Sequence, residues 1–492
     1  MAKNESTSNP DMTPPDSVRD MTADPEGLRM KAPLLDAYLR FMRDHTTPFT
    51  IPGHKQRTDL VGDVIRGVVP LYAGLDTMKV DHGTLAQAER LAGELWGADW
   101  ARFSVGGSTH GNQALTLAIG QPGDTVIVGR TLHRSLMLGL VLADLRPVWV
   151  YPGIDAATGL PLGYSATDID AALVDHPEVC AVFFGDPSYV GTFGDVPAIA
   201  ETAHRYGVPL LIDAAWGAHY GFHPALPPHP IAAGADAMVT SIHKALPGYS
   251  AAALVLARTQ RLDAARLEAG FEATHTTSPP GATLASIDAV RALMQVYGER
   301  LLGELLPLIA EARERLGEVD GVVVLDGPHV EATKLAISIA GTGADGVAIE
   351  RDLIAAGMPV EYADLDTIAP MITIADTRET VDRFVTALIA GIEQHRGTPR
   401  EPHTALSWSV RPEQVTTPRE AFFASHEQVN SSDAIGRISA EIIAPYPPGV
   451  PVLAPGERIT SEILDGLREA RAQGIRIAYA ADPTLATMRV LT

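Results

Sequence analysis

The sequence predicts an α/β fold: a mostly parallel, doubly wound sheet of seven strands in a large domain, then a smaller α/β domain and a C-terminal module. Three observations carry that prediction. Between residues 100 and 260, short apolar runs alternate with helix-patterned segments, as expected of strands covered on both faces by the helices that connect them. Several of these runs are followed by polar or charged residues, and open α/β sheets bind their ligands beyond the C-terminal ends of the strands. After Pro280 the pattern changes to a long amphipathic stretch that leads into a different unit.

Residues 1–30 are rich in Asp, Pro, Ser, Thr and Met, lack the basic start and apolar core of a signal peptide, and read as a disordered tail. The large domain and its N-terminal segment are expected over 31–318. Its strand candidates are 101–105, 125–128, 147–151, 180–184, 209–212, 237–240 and 252–256, with helical patterns at 111–119, 132–144, 166–174 and 198–206 between them. Residues 284–316 read as one or two long helices bridging to the small domain, 319–396. That domain has strand candidates at 322–325 and 335–339 and helices at 346–355 and 380–392. The polar stretch 393–403 marks a linker, and the linker and C-terminal module fill 397–492, with a Pro-rich run at 445–451.

Composition narrows the function. No stretch approaches the roughly 20 uninterrupted apolar residues of a membrane helix. The formal charge of −22 disfavours nucleic acid and anionic membrane as partners. It is compatible with cationic substrates, although many soluble enzymes are acidic for solubility alone. The single cysteine, Cys180, reads as a buried strand residue; with no intrachain disulfide possible, a cytoplasmic setting is expected.

Lys244 closes the run 237–244 and is one of six lysines, against 32 arginines. A guanidinium stays protonated and cannot form a Schiff base, whereas a lysine in a suitable environment can. Gly106-Gly107-Ser108-Thr109-His110-Gly111-Asn112 follows a strand and opens a helix, so its N–H groups, Ser108 and Thr109 would cradle a phosphate. Alone, it reads equally as a Gly-rich turn with a Ser/Thr cap. It lacks the lysine of a P-loop and the spacing of a dinucleotide fingerprint. Asp213 ends another strand and suits a protonated ring nitrogen, or equally a helix cap. His133, after a third strand, suits stacking on a flat ring, or an ordinary polar position. Together the four pieces supply what pyridoxal 5′-phosphate (PLP) needs: donors for its phosphate, a stacking partner, an acid for its ring nitrogen and an amine for its aldehyde.

From Leu34 onward the chain resembles the Orn/Lys/Arg decarboxylases, the fold-type I PLP-dependent decarboxylases of basic amino acids, in their short biosynthetic form. The resemblance rests on Thr50-Ile51-Pro52-Gly53-His54-Lys55, Glu94-Leu95-Trp96-Gly97-Ala98-Asp99, the Gly-Ser-Thr cradle, Asp186-Pro187-Ser188-Tyr189, Asp213-Ala214-Ala215-Trp216 and Ser241-Ile242-His243-Lys244. It continues through Thr276-Thr277-Ser278-Pro279, Pro418-Arg419-Glu420-Ala421-Phe422-Phe423, Gly436-Arg437-Ile438-Ser439-Ala440-Glu441 and Pro445-Tyr446-Pro447-Pro448-Gly449-Val450-Pro451.

The resemblance implies decarboxylation of lysine, arginine or ornithine to the amine and carbon dioxide, in polyamine-type metabolism. It implies Lys244 as the Schiff-base lysine, Asp213 as the pyridinium partner and His133 as the stacking ring. Ser108, Thr109, Trp216, Ser241 and His243 become cofactor contacts, and His243 a second, weaker proton donor beside Lys244. Thr277 and Ser278 are expected to reach a neighbouring subunit's cofactor, hence a homodimer or larger homo-oligomer with shared sites, and Glu441 to meet the substrate's distal cation.

The chain departs from the family at 247–252, where the family usually reads toward Leu-Thr-Gln, and at Pro280-Gly281. Two other readings stay open: an aminotransferase or oxidative deaminase, with Arg411 or Arg437 clamping the α-carboxylate, and a non-catalytic relative, expected to have lost the lysine or aspartate.

Overall fold

The structure, a computed structural model, describes residues 31–43, 83–446 and 449–492. The expected tail at 1–30, the motif at 50–55, Lys79, Pro447 and Pro448 lie outside the described residues. Helix α1 (Pro33–Arg43) is clamped at its start. The Leu34 N–H donates to Asp288 Oδ2 at 2.9 Å, and the buried Arg291 guanidinium holds the other carboxylate oxygen at 2.7 Å. Helix α2 (Thr84–Trp96) stops at Gly97, whose φ of +69° ends it in the left-handed conformation that glycine adopts without penalty.

Seven strands build the main sheet: β1 (Trp100–Ser104), β2 (Thr125–Gly129), β3 (Arg146–Val150), β4 (Val182–Gly185), β5 (Leu210–Asp213), β6 (Ala237–Ser241) and β7 (Ala253–Ala257). Each falls within two residues of its predicted run. They pair in the order β1-β7-β6-β5-β4-β2-β3. β7 alone is antiparallel to its neighbours; the rest run parallel.

Successive strand residues feed opposite apolar layers. Val182 and Phe184 pack on one face and Phe183 on the other, so each strand is hydrophobic throughout rather than alternating. Helices α3 (Gly107–Ala118), α4 (Arg134–Ala143), α5 (Ala166–Asp175) and α6 (Val196–Arg205) cover these faces. α4 is shorter than the expected 132–144 because His133 caps its start and Asp144, at φ +57°, ends it. Cys180 corrects an expectation: it is partly exposed and precedes β4 rather than lying within it, and burial still pushes its thiol up to about 11.

Helix α7 (Ala264–Thr274) packs on α3, and α8 (Gly281–Gly317) then runs unbroken for 37 residues. Leu284, Ile287, Val290 and Leu302 join the large-domain core, while Leu305, Ile309 and Leu316 further along enter a separate cluster in the small domain. That domain holds β8 (Val323–Val324), β9 (Ile337–Ser338), α9 (Gly346–Ala355), β10 (Tyr362–Ala363), β11 (Thr367–Ala369) and α10 (Arg378–Gln394). Its antiparallel sheet has the order β10-β11-β9-β8, and the sequence predicted only two of these strands. β10 and β11 are too short to show a period. Their turn is set by Asp364, whose Oδ1 accepts the Asp366 and Thr367 N–H groups at 3.0 and 2.7 Å.

The C-terminal module has its own core, including Ile443, Leu453, Leu464 and Val490. It is fastened to the main sheet by Arg130, the residue after β2. The Arg130 guanidinium pairs with Glu457 at 3.0 Å and donates to the Val452 carbonyl at 3.3 Å, both side chains being buried. No helix among the described residues is long and apolar enough to cross a membrane.

Candidate active site

The C-terminal ends of β1, β2, β4, β5 and β6 open onto a cavity of about 370 Å³. Ser108, Thr109, His133, Asp213, Trp216, Ser241, His243 and Lys244, eight of the residues singled out from the sequence, line it together.

The start of α3 forms one wall. Gly107 takes φ +68° and donates its N–H to the Ala251 carbonyl at 2.7 Å. A Cβ at Gly106 would meet the His110 Cβ at 2.8 Å, so the tight entry into the helix requires glycine there. The first-turn N–H groups of a helix have no intrahelical acceptor and carry its positive end. Ser108 and Ser241, from two different strand ends, bring their hydroxyls into hydrogen-bond contact beside those groups.

Across the cavity, the Ser135 N–H donates to His133 Nδ1 at 3.2 Å. That bond assigns Nδ1 as the bare nitrogen of a neutral ring. Burial pushes the His133 pKa down; Asp213 opposes this, and the Lys244 and Arg134 charges add to it. Asp213 is held on both oxygens, Oδ2 accepting from Asn112 Nδ2 at 2.6 Å and Oδ1 from the Ala215 N–H at 3.1 Å. Asn112 also donates to Ser135 Oγ at 2.9 Å, so one amide ties the aspartate to the residue that orients His133. Asn112 stood in the cradle run without an assigned role.

Lys244 lies three residues past β6, with Nζ 4.1 Å from the centre of the Trp216 ring. Burial pushes its pKa down against the opposing pull of Asp213 and Glu361. His243 Nδ1 donates to the Ala252 carbonyl at 2.9 Å. The divergent segment 247–252 therefore supplies two anchors of the site, Ala251 for the cradle and Ala252 for His243. The second divergent pair, Pro280-Gly281, is where α8 begins.

Other modules close the cavity. Glu361, from the small domain, accepts the Tyr189 hydroxyl at 2.8 Å; Trp408, Tyr446 and Val450 come from the C-terminal segment. Sequence reasoning gave none of these a role. Glu361 precedes a strand too short to recognise, although Tyr189 and Tyr446 stood in motifs already noted.

The structure does not bring the remaining residues here. Glu441 is buried in the C-terminal module, its carboxylate accepting the Ala481 and Arg489 N–H groups at 2.6 and 2.7 Å. It ties backbone segments together and does not face the cavity. Thr277 and Ser278 are exposed just before α8. Arg411 lies over the Tyr151 ring and Arg437 pairs with Glu427, both outside the cavity wall.

Comparison with known proteins bears on the family and the fold. The sequence model described as Orn/Lys/Arg decarboxylase, major domain, matches residues 32–343, and its C-terminal domain counterpart matches 403–475. The chain is 31% identical to an arginine decarboxylase of Halalkalibacterium halodurans, over 94% of this chain and 98% of that one. It is 30% identical to an arginine decarboxylase of Bacillus subtilis with the same two shares. In structure it is similar to a lysine decarboxylase of Francisella novicida, with a TM-score of 0.79 at 19% identity, over 94% of this chain and 82% of that one. The architecture is fold-type I.

Proposed function

The chain belongs to the Orn/Lys/Arg decarboxylase family, and from that premise we propose that it binds PLP and removes the α-carboxylate of a basic amino acid, arginine first among the candidates. The observation that carries this reading is Lys244 at a strand end, in one cavity with Asp213, His133 and the Ser108–Ser241 pair.

The residues present fit the cofactor. The glycine-built start of α3, with Ser108, Thr109 and Ser241, matches a phosphate dianion. His133, a neutral flat ring, matches stacking. Asp213, fixed by Asn112 and Ala215, matches a protonated ring nitrogen, and Lys244 matches the aldehyde. Bound there, PLP supplies an electron sink for the pair released when the carboxylate leaves as carbon dioxide.

The protein's own groups do the rest. Asp213 keeps a proton on the ring nitrogen. Lys244 returns a proton to the substrate α-carbon, with His243 the weaker candidate for that step. Trp408, Tyr446 and Val450 present a largely apolar wall, which exclude water from a departing carboxylate. Glu361 takes the part the sequence had given to Glu441: a carboxylate in the cavity wall, already oriented by Tyr189, suits a guanidinium or ammonium. Neither Arg411 nor Arg437 lines the cavity, which weighs against a clamp that would hold the α-carboxylate for transamination.

A small-molecule panel of arginine, lysine and ornithine tests the reading. Carbon dioxide and the matching amine are expected, and Lys244→Ala should abolish both. A keto acid or peroxide as product, or unchanged turnover by the variant, sinks it. We also propose a cytoplasmic homodimer with Thr277 and Ser278 at the seam, checked by sedimentation of wild type against a variant altered at both positions.

A further inference from the structure

A second lysine lies behind the cavity. Lys334, in the small domain just before β9, is buried, and its Nζ sits 4.0 Å from the centre of the same Trp216 ring that Lys244 approaches at 4.1 Å. The two ammonium groups therefore cannot be more than about 8 Å apart. They reach the indole from different domains.

Lys334 is fixed rather than loosely packed. Its carbonyl accepts from the Arg313 guanidinium of α8 at 2.7 Å. A Cβ at Gly191 would stand 2.5 Å from the Lys334 Cβ, so the side chain passes through space that only glycine leaves open. Glu331 and Glu361 face its charge. Glu331 is itself buried and held by His219 at 2.9 Å. Around Lys244 stand Asp213, Glu361 and His133.

We propose that Lys334 is a positioning residue for Lys244: its charge, set against the shared indole, disfavours a second ammonium there and lowers the proton affinity of the Lys244 amine. One aromatic face attracts a cation, but two cations on one ring repel each other across a poorly solvated gap. Burial pushes Lys334 down to about 8, with the Lys244 charge adding and Glu331 and Glu361 opposing. Lys334 does not line the cavity and need not touch substrate. The inference rests on Lys244 as the cofactor-bearing amine, and it adds the group that sets that amine's readiness.

The test uses apoprotein, with no turnover involved. Acetic anhydride labelling across pH 6 to 10, read by mass spectrometry, follows each lysine separately, which is practical in a chain with six. In Lys334→Met the labelling midpoint of Lys244 should rise by roughly 0.5 to 1.5 pH units, the order expected for unit charges at this separation. Lys334→Arg, which keeps the charge, should restore it. Coupling between two charges is mutual, so Lys244→Ala should raise the Lys334 midpoint by a similar amount, and this arm stands if the methionine variant does not fold. An unmoved midpoint in either folded variant overturns the proposal. Borohydride reduction after PLP addition, followed by peptide mapping, checks the underlying reading separately: label on a lysine other than Lys244 defeats that reading and leaves the coupling measurement intact.

Discussion

Asn112 donates its side-chain amide to Asp213 at 2.6 Å, from a helix that starts at one strand end to a carboxylate that finishes another. A hydrogen bond to a charged group contributes about 1.5–3 kcal/mol. Asn112→Ala is therefore expected to weaken PLP retention by about 10- to 100-fold, measured by absorbance titration of apoprotein. Unchanged affinity would show that Asp213 holds its place without the amide.

Glu361 is the carboxylate in the cavity wall that a substrate's distal cation would meet. Glu361→Gln should lower kcat/KM for arginine by about 10- to 100-fold, as expected for losing one charge-assisted contact. Turnover of norvaline, which lacks the cation, should change far less. Equal losses on both substrates would remove Glu361 from substrate recognition.

The Arg130–Glu457 pair is buried on both sides. Removing one partner strands a charge, so Arg130→Met should cost about 3–5 kcal/mol in denaturant unfolding. Burial raises the Glu457 pKa against the pull of Arg130, and that pull is lost in the variant. The double variant with Glu457→Leu should recover much of the stability. A double variant no more stable than the single one would locate the cost in packing instead.

Asp186 is buried, with one N–H donor, from Gly194 at 2.6 Å, and burial raises its pKa to about 7 against that bond. The unfolded chain releases this proton near pH 4, the native protein near 7. The contribution of Asp186 to stability is therefore full below about pH 4 and is lost as pH rises to about 7. Asp186→Asn should gain on wild type across that interval, by about 1.4 kcal/mol per unit of raised pKa. Urea unfolding at pH 5 and 8 measures it, and parallel profiles would refute the shift.

The sheet was legible because its strands are buried on both faces, which writes an unbroken apolar run such as 209–212 into the sequence. The cradle, His133, Asp213 and Lys244 were singled out for a related reason: each lies within a few residues of the end of such a run. Glu361 was not. It precedes a two-residue strand, and what brings it to the cavity is the placement of one domain against another. Glu441 misled because a motif position does not say whether a carboxylate faces a ligand or, as here, satisfies two backbone N–H groups. The run 284–316 left open whether one helix or two form there; α8 is continuous across Pro307, and the packing of its two parts in separate cores is a tertiary fact.

The walls of the cavity are laid down in order along the chain: the cradle at 106–109, Lys244 midway, Glu361 later, then Trp408, Tyr446 and Val450 near the end. On the ribosome, the parts that would grip a phosphate and an aldehyde emerge well before those that shut out water. A chain ending near residue 400 would carry Lys244 in a cleft without the Trp408, Tyr446 and Val450 wall.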